Sequence, residues 1–394
     1  MISVVEAKKI IWENVAPLPL QNISLEKTAG YVLAKDIFSP IHLPPFPQSS
    51  MDGYAFSFSD WQTNEKLKIS GSIPAGSQNN DELKPGSAVR IFTGAAVPPG
   101  ADTVVMQEKT FVENDALIIC DENIKQGMNV RPAGLEIKPN VFALKKDTFI
   151  NPASIGFLAS MGINEVPVYP KPSVTIIITG DELKEPGSTL LHGQIYESNS
   201  YTLVAALEQL RIAPVYVLRV KDDLALLTGS LKESLLKSDV ILLTGGISVG
   251  DYDFVLQATI NNNIQKLFHR IKQKPGKPLY FGKLEDKYVF GLPGNPASSL
   301  TCFYEYVAPA LGKLCNRDLS LKKLRVPIMQ DFKKPAGLTY FLKGYYDDMG
   351  VHIFEAQESF RLSSFSTANC LVQIDEEITE CKKGELIEIH LLPE

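Results

Sequence analysis

The chain contains 394 residues, enough for several domains with sizeable cores. Hydrophobic residues make up 44% of the chain and charged residues 21%, a composition typical of globular proteins. The formal net charge of −6 argues against broad binding to nucleic acid or to an anionic membrane surface.

Cysteine usage and the N-terminal charges predict a cytoplasmic protein. The five cysteines form no Cys-x-x-Cys pair and are typical of reduced, mostly buried thiols, and the five histidines show no zinc-binding spacing. Glu6, Lys8 and Lys9 come too early for the apolar part of a signal peptide. No apolar run reaches the length of a transmembrane helix.

The first 170 residues predict a helix, a β-rich region and a mixed segment. Residues 2–16 have a helical period that Pro17 and Pro19 end, and the proline-rich link 40–47 is typical of a domain boundary. Short β-type runs broken by Gly and Pro then occupy residues 48–132. Residues 137–168 are the candidate packing partner of the N-terminal helix, which would make one domain from two segments.

Strands and helices alternate between residues 174 and 311, which predicts a doubly wound, mostly parallel sheet covered by helices on both faces. After Arg317 the pattern changes to β-type runs separated by turn residues, which indicates a small all-β domain. We therefore predict a multidomain protein with a central α/β domain, a β-rich insert domain and a C-terminal β-domain.

Ligands of such sheets bind beyond the carboxyl ends of the strands, where this chain carries unusual sequence. Three strands end at Thr179–Glu182, Lys221–Asp223 and Thr244–Gly246, and the last glycines would let a phosphate approach backbone N–H groups. The carboxylates expected to gather there favour a loosely held Mg²⁺, and they are Glu182, Asp222, Asp251 and Asp253. A tight strand–helix connection, or helix capping by Asp222, is the alternative explanation.

Cationic and hydroxyl groups predict an anion site. Lys272, Lys274 and Lys277 surround Pro275-Gly276, although a solvated basic loop is the alternative. Pro296 near the start of a helix leaves free N–H groups behind it, which predicts a second anion-accepting helix start. A third group could equally form a Ser-rich β-turn and comprises Arg361, Ser363, Ser364 and Ser366.

Two turn-like sequences in the β-rich region place polar side chains beside glycines. Asp52 precedes Gly53, and Thr93 precedes Gly94. Asp-Gly is first of all a hairpin signal, so a purely structural turn is the alternative to a functional one.

Together these motifs resemble the molybdopterin molybdenumtransferase family, which includes the C-terminal domain of gephyrin. The resemblance runs nearly end to end and depends on motifs in the family's order, at 50–55, 93–95 with 105–108, 179–183, 244–250, 274–278, 291–296 and 364–369. It implies molybdenum insertion into adenylylated molybdopterin, with molybdate as the metal source and AMP as the leaving group. It also implies four domains, namely 1–44 with 133–170, 45–132, 171–317, and 318–394.

The resemblance implies an elongated homodimer with a shared active site, to which Asp52 and Thr93 reach across from the second subunit. It also implies transient contact with the molybdopterin adenylyltransferase. By motif, Glu182, Asp222 and Asp253 would hold Mg²⁺ or position water, with Asp251 as a neighbour. Phosphate would lie against Gly245, Gly246 and Ser248. The remaining substrate-binding positions, mostly for molybdate, would be Lys274, Lys277, Pro293, Pro296, Ser298, Arg361 and Ser364.

Two departures from the family pattern concern charge. Leu338 and Lys343 stand in the segment 337–344 where arginines are common in the family, which puts oxyanion affinity in doubt because lysine lacks the guanidinium fork. Glu136 stands where the family has an adjacent pair of carboxylates. Two alternative functions are a molybdopterin adenylyltransferase-like enzyme, which would consume ATP, and a non-catalytic binding scaffold on the same fold.

Overall fold

A computed structural model of the chain describes residues 1–245 and 254–393. Two compact units can be distinguished. The larger unit comprises Met1–Gln21, Gly30–Val32 and Tyr169–Glu394, and the smaller unit comprises Asn22–Ala29 and Leu33–Val168. The division into four domains remains a prediction.

The larger unit contains the predicted α/β sheet. Its first four strands are parallel and its last two run antiparallel to their neighbours, in the spatial order Val215–Val220, Val174–Thr179, Val240–Thr244, Lys287–Leu292, Tyr280–Leu284 and Gln265–His269. The surrounding helices are Asn199–Gln209, Leu224–Lys237, Phe254–Asn261 and Pro296–Cys302, the last continuing through a π-helical turn, Phe303–Val307, into Ala308–Leu314. A two-stranded parallel ladder joins Leu183–Lys184 to Ile195–Tyr196.

Both faces of this sheet are buried. Because successive side chains of a strand point to opposite faces, Ile176 and Leu242 belong to one apolar cluster, and Ile177 and Leu243 belong to another. The two clusters confirm the doubly wound, mostly parallel architecture. The edge strand Gln265–His269 was not predicted, because only Phe268 in it is buried and its polar residues interrupt any apolar run.

The N-terminal helix, Val4–Asn14, begins at Ser3, whose Oγ accepts a hydrogen bond from the Glu6 N–H at 3.1 Å. Its buried side chains, including Ala7 and Ile11, belong to the same apolar cluster as Ile176. The sequence-based expectation that this helix packs against residues 137–168 is therefore wrong, because its apolar stripe completes the α/β core instead.

The C-terminal residues form the predicted β-structure. A sheet has the strand order Gln273–Lys274, Thr339–Asp347, Cys370–Ile374, Leu386–Leu391 and Lys322–Pro327, and Gly350–Ile353 pairs beside the second of these. A short ladder joins Phe332–Lys333 to Glu380–Cys381. Through Gln273–Lys274, the predicted basic loop extends this sheet.

The smaller unit is rich in strands, as predicted. Its largest sheet has the order Thr103–Met106, Gly53–Phe56, Ser87–Ile91, Lys66–Ile73, Ala116–Ile119 and Thr110–Glu113. Two short ladders join Gln48–Ser49 to Val130–Arg131 and Ile37–Phe38 to Phe142–Leu144. The helices are Phe58–Asn64 and Pro152–Ser160. Further short elements along the chain are the strands Gln21–Ser24, Val32–Leu33 and Glu165–Tyr169 and the 3₁₀ turns Leu25–Lys27 and Gln107–Lys109.

Four of the five cysteines are buried, in agreement with the prediction, and Cys120 is exposed. Across residues 1–245 and 254–393, helices that are both long enough and apolar enough to span a membrane are absent.

A buried ionic network joins three elements of the larger unit. Glu305, in the π-helical turn, is 3% exposed, and its carboxylate lies 2.5 Å from Lys8 Nζ and 2.6 Å from His390 Nδ1. Burial alone would raise the pKa of Glu305, but the charge of Lys8 and the hydrogen bond with His390 outweigh it and lower the pKa from 4.5 to about 2. The network therefore ties the N-terminal helix and the last strand to the π-helical turn.

Because the folded-state pKa of Glu305 is lowered, its contribution to stability is present above pH 4.5 and is lost as the pH falls towards 2. Between pH 6 and pH 3 we expect the free energy of unfolding of the wild type to fall by about 2 kcal/mol more than that of Glu305→Gln. Urea unfolding at several pH values measures this difference. Glu13→Gln, at an exposed surface pair, is the control and should follow the wild type. Parallel pH profiles for wild type and Glu305→Gln would contradict the assignment.

Candidate active site

A cleft of about 970 Å³ lies within the larger unit, between the α/β sheet and the C-terminal β-structure. Among the described residues, three stretches of chain line it, at 270–278, 293–298 and 355–360, together with Leu338. Four of the predicted substrate-binding residues lie in its wall, namely Lys274, Lys277, Pro293 and Ser298. The cleft therefore brings the basic loop and the proline-rich turn to one place.

The conformation of the basic loop depends on Gln273, a residue that the sequence did not single out. Gln273 is 1% exposed, and its Nε2 donates to the carbonyls of Pro275 at 3.0 Å and Gly276 at 3.2 Å. Its Oε1 accepts a hydrogen bond from the Tyr306 hydroxyl. Gly276 has a φ of +86°, and an added Cβ would lie 2.4 Å from Cys302 Sγ, so only glycine fits there. No local sequence pattern indicates the role of Gln273, because its partners become neighbours only through packing.

The helix that begins at Pro296 does not offer the free N–H groups that the sequence predicted. The N–H groups of Ala297 and Ser298 donate to the carbonyl of Ser359, at 3.0 and 3.3 Å. Asn295 Nδ2 also donates to Ser359 Oγ at 2.9 Å. The prediction of an anion-accepting helix start is therefore wrong, because the loop 355–360 covers this end of the helix.

The predicted anion-binding side chains of the C-terminal β-structure have protein partners. Arg361 makes a two-pronged contact with Glu358, with Nε–Oε2 and Nη2–Oε1 distances of 3.1 Å each. Ser364 Oγ donates to the carbonyl of Ala356 at 2.7 Å. Lys343 is 3% exposed, and its Nζ donates to the carbonyls of Glu358 and Arg361 at 3.3 and 3.2 Å. Burial lowers the pKa of Lys343.

Lys343 therefore fixes the loop that carries Glu358 and Arg361. The sequence predicted a weakened oxyanion ligand at this position, whereas the ammonium group of Lys343 is buried and holds two backbone carbonyls. Leu338, by contrast, lines the cleft and contributes an apolar side chain to it.

The three strand ends singled out in the sequence lie side by side. Thr179 pairs with Val220 on one neighbouring strand, and Ile178 pairs with Thr244 on the other. Gly245 has a φ of +86°, and an added Cβ would lie 2.2 Å from the Thr179 carbonyl oxygen. Gly245 therefore permits a close approach of two strand ends that a larger residue would prevent.

Asp222 accepts a hydrogen bond from the Thr179 hydroxyl, and its own N–H donates to Asp181 Oδ1 at 3.4 Å. The alternative that Asp222 caps the following helix is wrong. The cap is Asp223, whose Oδ1 accepts from the Leu226 N–H at 2.8 Å. The exposed Asp222 carboxylate is therefore held at the sheet edge by the neighbouring strand.

The predicted metal site lies only partly within the described residues. Glu182 and Asp222 are exposed at the sheet edge, whereas Gly246, Ser248, Asp251 and Asp253 lie outside the described residues. In the described part of the chain, no three His, Cys, Asp or Glu side chains gather closely enough to hold a metal ion. The two carboxylates present supply the oxygen donors that Mg²⁺ prefers.

Asp52 and Thr93 contact each other within the smaller unit. Asp52 Oδ1 accepts hydrogen bonds from the Thr93 N–H at 2.7 Å and from its hydroxyl at 2.8 Å. The backbone bond, followed by the side-chain bond, lowers the pKa of Asp52, so this carboxylate is ionised at neutral pH. The strands on either side of Asp52-Gly53 pair with other strands, so the hairpin alternative is wrong.

Arg90 supports the same turn. Its Nη1 donates to the Gly53 carbonyl at 2.8 Å, and its guanidinium lies 5.2 Å from the Tyr54 ring centroid and 4.8 Å from that of Phe92. Because Arg90 holds the residue that follows Asp52, it limits the movement of the ionised carboxylate. The sequence did not indicate this role.

Comparison with known proteins identifies the class of this fold and site. Three family models match successive parts of the chain: the MoeA N-terminal region (domains I and II) at residues 2–162, a probable molybdopterin-binding domain at 175–313, and the MoeA C-terminal region (domain IV) at 325–392. The chain thus combines a molybdopterin-binding type of α/β domain with MoeA-specific regions on both sides.

Two curated relatives cover the chain almost completely. The molybdopterin molybdenumtransferase of Haemophilus influenzae is 35% identical over 100% of both chains, and that of Staphylococcus aureus is 32% identical over 99% of this chain and 95% of its own. The crystal structure of the molybdopterin biosynthesis MoeA protein from Pyrococcus horikosii has a TM-score of 0.83 at 29% identity and covers 99% of both chains. The chain belongs to the MoeA family.

The contact between Gly245 and Thr179 predicts a strong effect of adding one methyl group. Gly245→Ala should lower the free energy of unfolding by about 2 to 5 kcal/mol, from backbone strain together with the clash. Gly187→Ala is the matched control, because Gly187 has a φ of +90° but an added Cβ would meet nothing within 4 Å. It should cost only about 1 to 2 kcal/mol. Urea unfolding compares the two, and equal losses would show that the close approach does not matter.

Proposed function

We propose that this protein is a molybdopterin molybdenumtransferase. It inserts molybdenum from molybdate into the dithiolene of adenylylated molybdopterin and releases AMP. The observation that carries the proposal is the end-to-end match to the MoeA family, at 35% identity with a relative of that name. The cleft adds support, because it presents a basic loop where an oxyanion could bind.

The described residues suggest how the oxyanion is bound. Molybdate is a dianion, so its binding requires several donors at once, and Lys274 and Lys277 both line the cleft. Ser298, in the same wall, supplies a hydroxyl. Lys274 Nζ lies 5.2 Å from the Tyr340 ring centroid, which restrains the ammonium group without neutralising it.

At the sheet edge, Asp222 and Glu182 are the described residues proposed to hold Mg²⁺, with Asp253 as the third ligand and Asp251 as a neighbour. When bound, Mg²⁺ would offset negative charge on the phosphate of the leaving AMP. Thr179 orients the Asp222 carboxylate through its hydroxyl. Gly245 leaves the adjoining strand end without a side chain, so that a phosphate can approach the backbone there.

A cytoplasmic homodimer is part of the proposal. The family resemblance supports a shared active site to which Asp52 and Thr93 of the second subunit contribute, and a transient contact with the molybdopterin adenylyltransferase. The two bonds from Thr93 hold the Asp52 carboxylate in one position, as a contribution to a shared site would require.

The activity can be tested with purified full-length protein and adenylylated molybdopterin. We expect AMP release only when molybdate and Mg²⁺ are both present, because the oxyanion is the metal source and the leaving phosphate needs charge compensation. Chromatographic quantification of AMP measures this release. No release with all components supplied would refute the proposal. Consumption of ATP with release of pyrophosphate would identify an adenylyltransferase instead.

Adjacent aspartates offer a matched test of the metal site. Asp222→Asn keeps an oxygen that can accept from Thr179 but removes the charge, so the Mg²⁺ concentration for half-maximal AMP release should rise about 10- to 100-fold. Asp223→Asn is the control, since asparagine also caps helices, and it should leave the Mg²⁺ dependence unchanged. A wild-type Mg²⁺ dependence in Asp222→Asn would exclude Asp222 as a ligand.

A further inference from the structure

Arg270 is a cleft residue that the sequence motifs do not include. It follows the edge strand Gln265–His269 and lines the cleft together with Lys274 and Lys277. Its φ of +82° lies in the left-handed region, which a residue with a long side chain rarely adopts. Its backbone is held on both sides, because its N–H donates to the Leu279 carbonyl at 3.0 Å and its carbonyl accepts from the Ile2 N–H at 3.4 Å.

The guanidinium group of Arg270 lacks a partner among the described residues. Its Nε is buried and has no hydrogen-bond partner, and within residues 1–245 and 254–393 it makes no ion pair. A buried donor without a partner is unfavourable, so a ligand that pairs with the Arg270 guanidinium would offset this cost. The strained backbone of Arg270 also supports a functional role for this residue, since such strain is concentrated at functional sites.

Two other cations near the cleft, unlike Arg270, have partners within the protein. Arg361 is engaged by both oxygens of Glu358, and Lys343 holds two backbone carbonyls. Among the described residues, two carboxylates line the cleft, and one of them, Glu358, is already paired with Arg361; the other is Glu355. Arg270 is therefore the cleft-wall arginine that lacks a protein partner among the described residues.

We propose that Arg270 binds a tetrahedral oxyanion in this cleft, either free molybdate or the phosphate of the nucleotide. A guanidinium presents parallel N–H groups that match two oxygens of such an anion, whereas Lys274 and Lys277 act as point charges. The inference rests on the proposed function, because that function requires an oxyanion in this cleft. It adds Arg270 to the anion-binding residues that the family resemblance implies.

The test uses variants that separate anion binding from backbone strain. Arg270→Gly removes the guanidinium and is compatible with the left-handed backbone, so the fold should keep its thermal stability. Arg270→Lys keeps the charge but loses the fork. Arg325→Gln is the control, because it removes the same charge from an exposed strand position outside the cleft wall.

Calorimetric titrations with molybdate and with AMP, on the full-length protein, measure the binding of each anion. We expect Arg270→Gly to bind at least one of them about 10- to 100-fold more weakly than the wild type, with Arg270→Lys intermediate and Arg325→Gln unchanged. Weaker molybdate binding alone assigns Arg270 to the free oxyanion, and weaker AMP binding alone assigns it to the phosphate ester. If Arg270→Gly is poorly folded, the anion affinities of Arg270→Lys and the wild type are compared instead, and equal affinities would overturn the inference.

Unchanged affinity for both anions in Arg270→Gly would overturn the inference, as would a wild type that binds neither anion. Failure of the proposed function can be distinguished from failure of the Arg270 inference. A wild type that binds molybdate but releases no AMP refutes the molybdenumtransferase, while the comparison of Arg270 variants still stands.

Discussion

The hydrogen bonds of the buried Gln273 amide are the interaction on which the cleft depends. One end of this amide holds two carbonyls of the basic loop, and the other accepts from Tyr306 in the π-helical turn. The same residue pairs with Thr339 in the C-terminal sheet. The loop that carries Lys274 and Lys277 is thereby attached to both halves of the larger unit, and its two lysines are placed by rigid neighbours.

The π-helical turn has a second set of partners that stabilises this arrangement from behind. Glu305, adjacent to Tyr306, draws Lys8 of the N-terminal helix and His390 of the last strand onto the turn. Removing one partner of such a buried ionic network leaves an unpaired charge, so the elements behind the cleft are coupled energetically. The N-terminal helix thus belongs structurally to the α/β core although a separate segment of chain follows it.

The cations around the cleft form two groups that differ in what they contact. Lys343 and Arg361 satisfy groups of the protein, and they shape the loop that covers the helix beginning at Pro296. Lys274, Lys277 and Arg270 line the cleft wall itself. Side-chain charge alone does not separate these groups, because a buried ammonium with carbonyl partners and an exposed one have the same sequence signature.

The sequence by itself determined the architecture, because alternating apolar patterns specify strands and helices and their order specifies a parallel sheet. It also located the three adjacent strand ends at Thr179, Val220 and Thr244, since parallel strands place their carboxyl ends on one edge. Only the tertiary structure decided that Asp223 and not Asp222 caps a helix, and that the Ser359 carbonyl occupies the helix start. It also decided that Gln273 holds the basic loop and that the buried Arg270 Nε lacks a partner among the described residues. These outcomes depend on contacts between residues far apart in the chain, and local sequence carries no record of which polar groups will meet when the core closes.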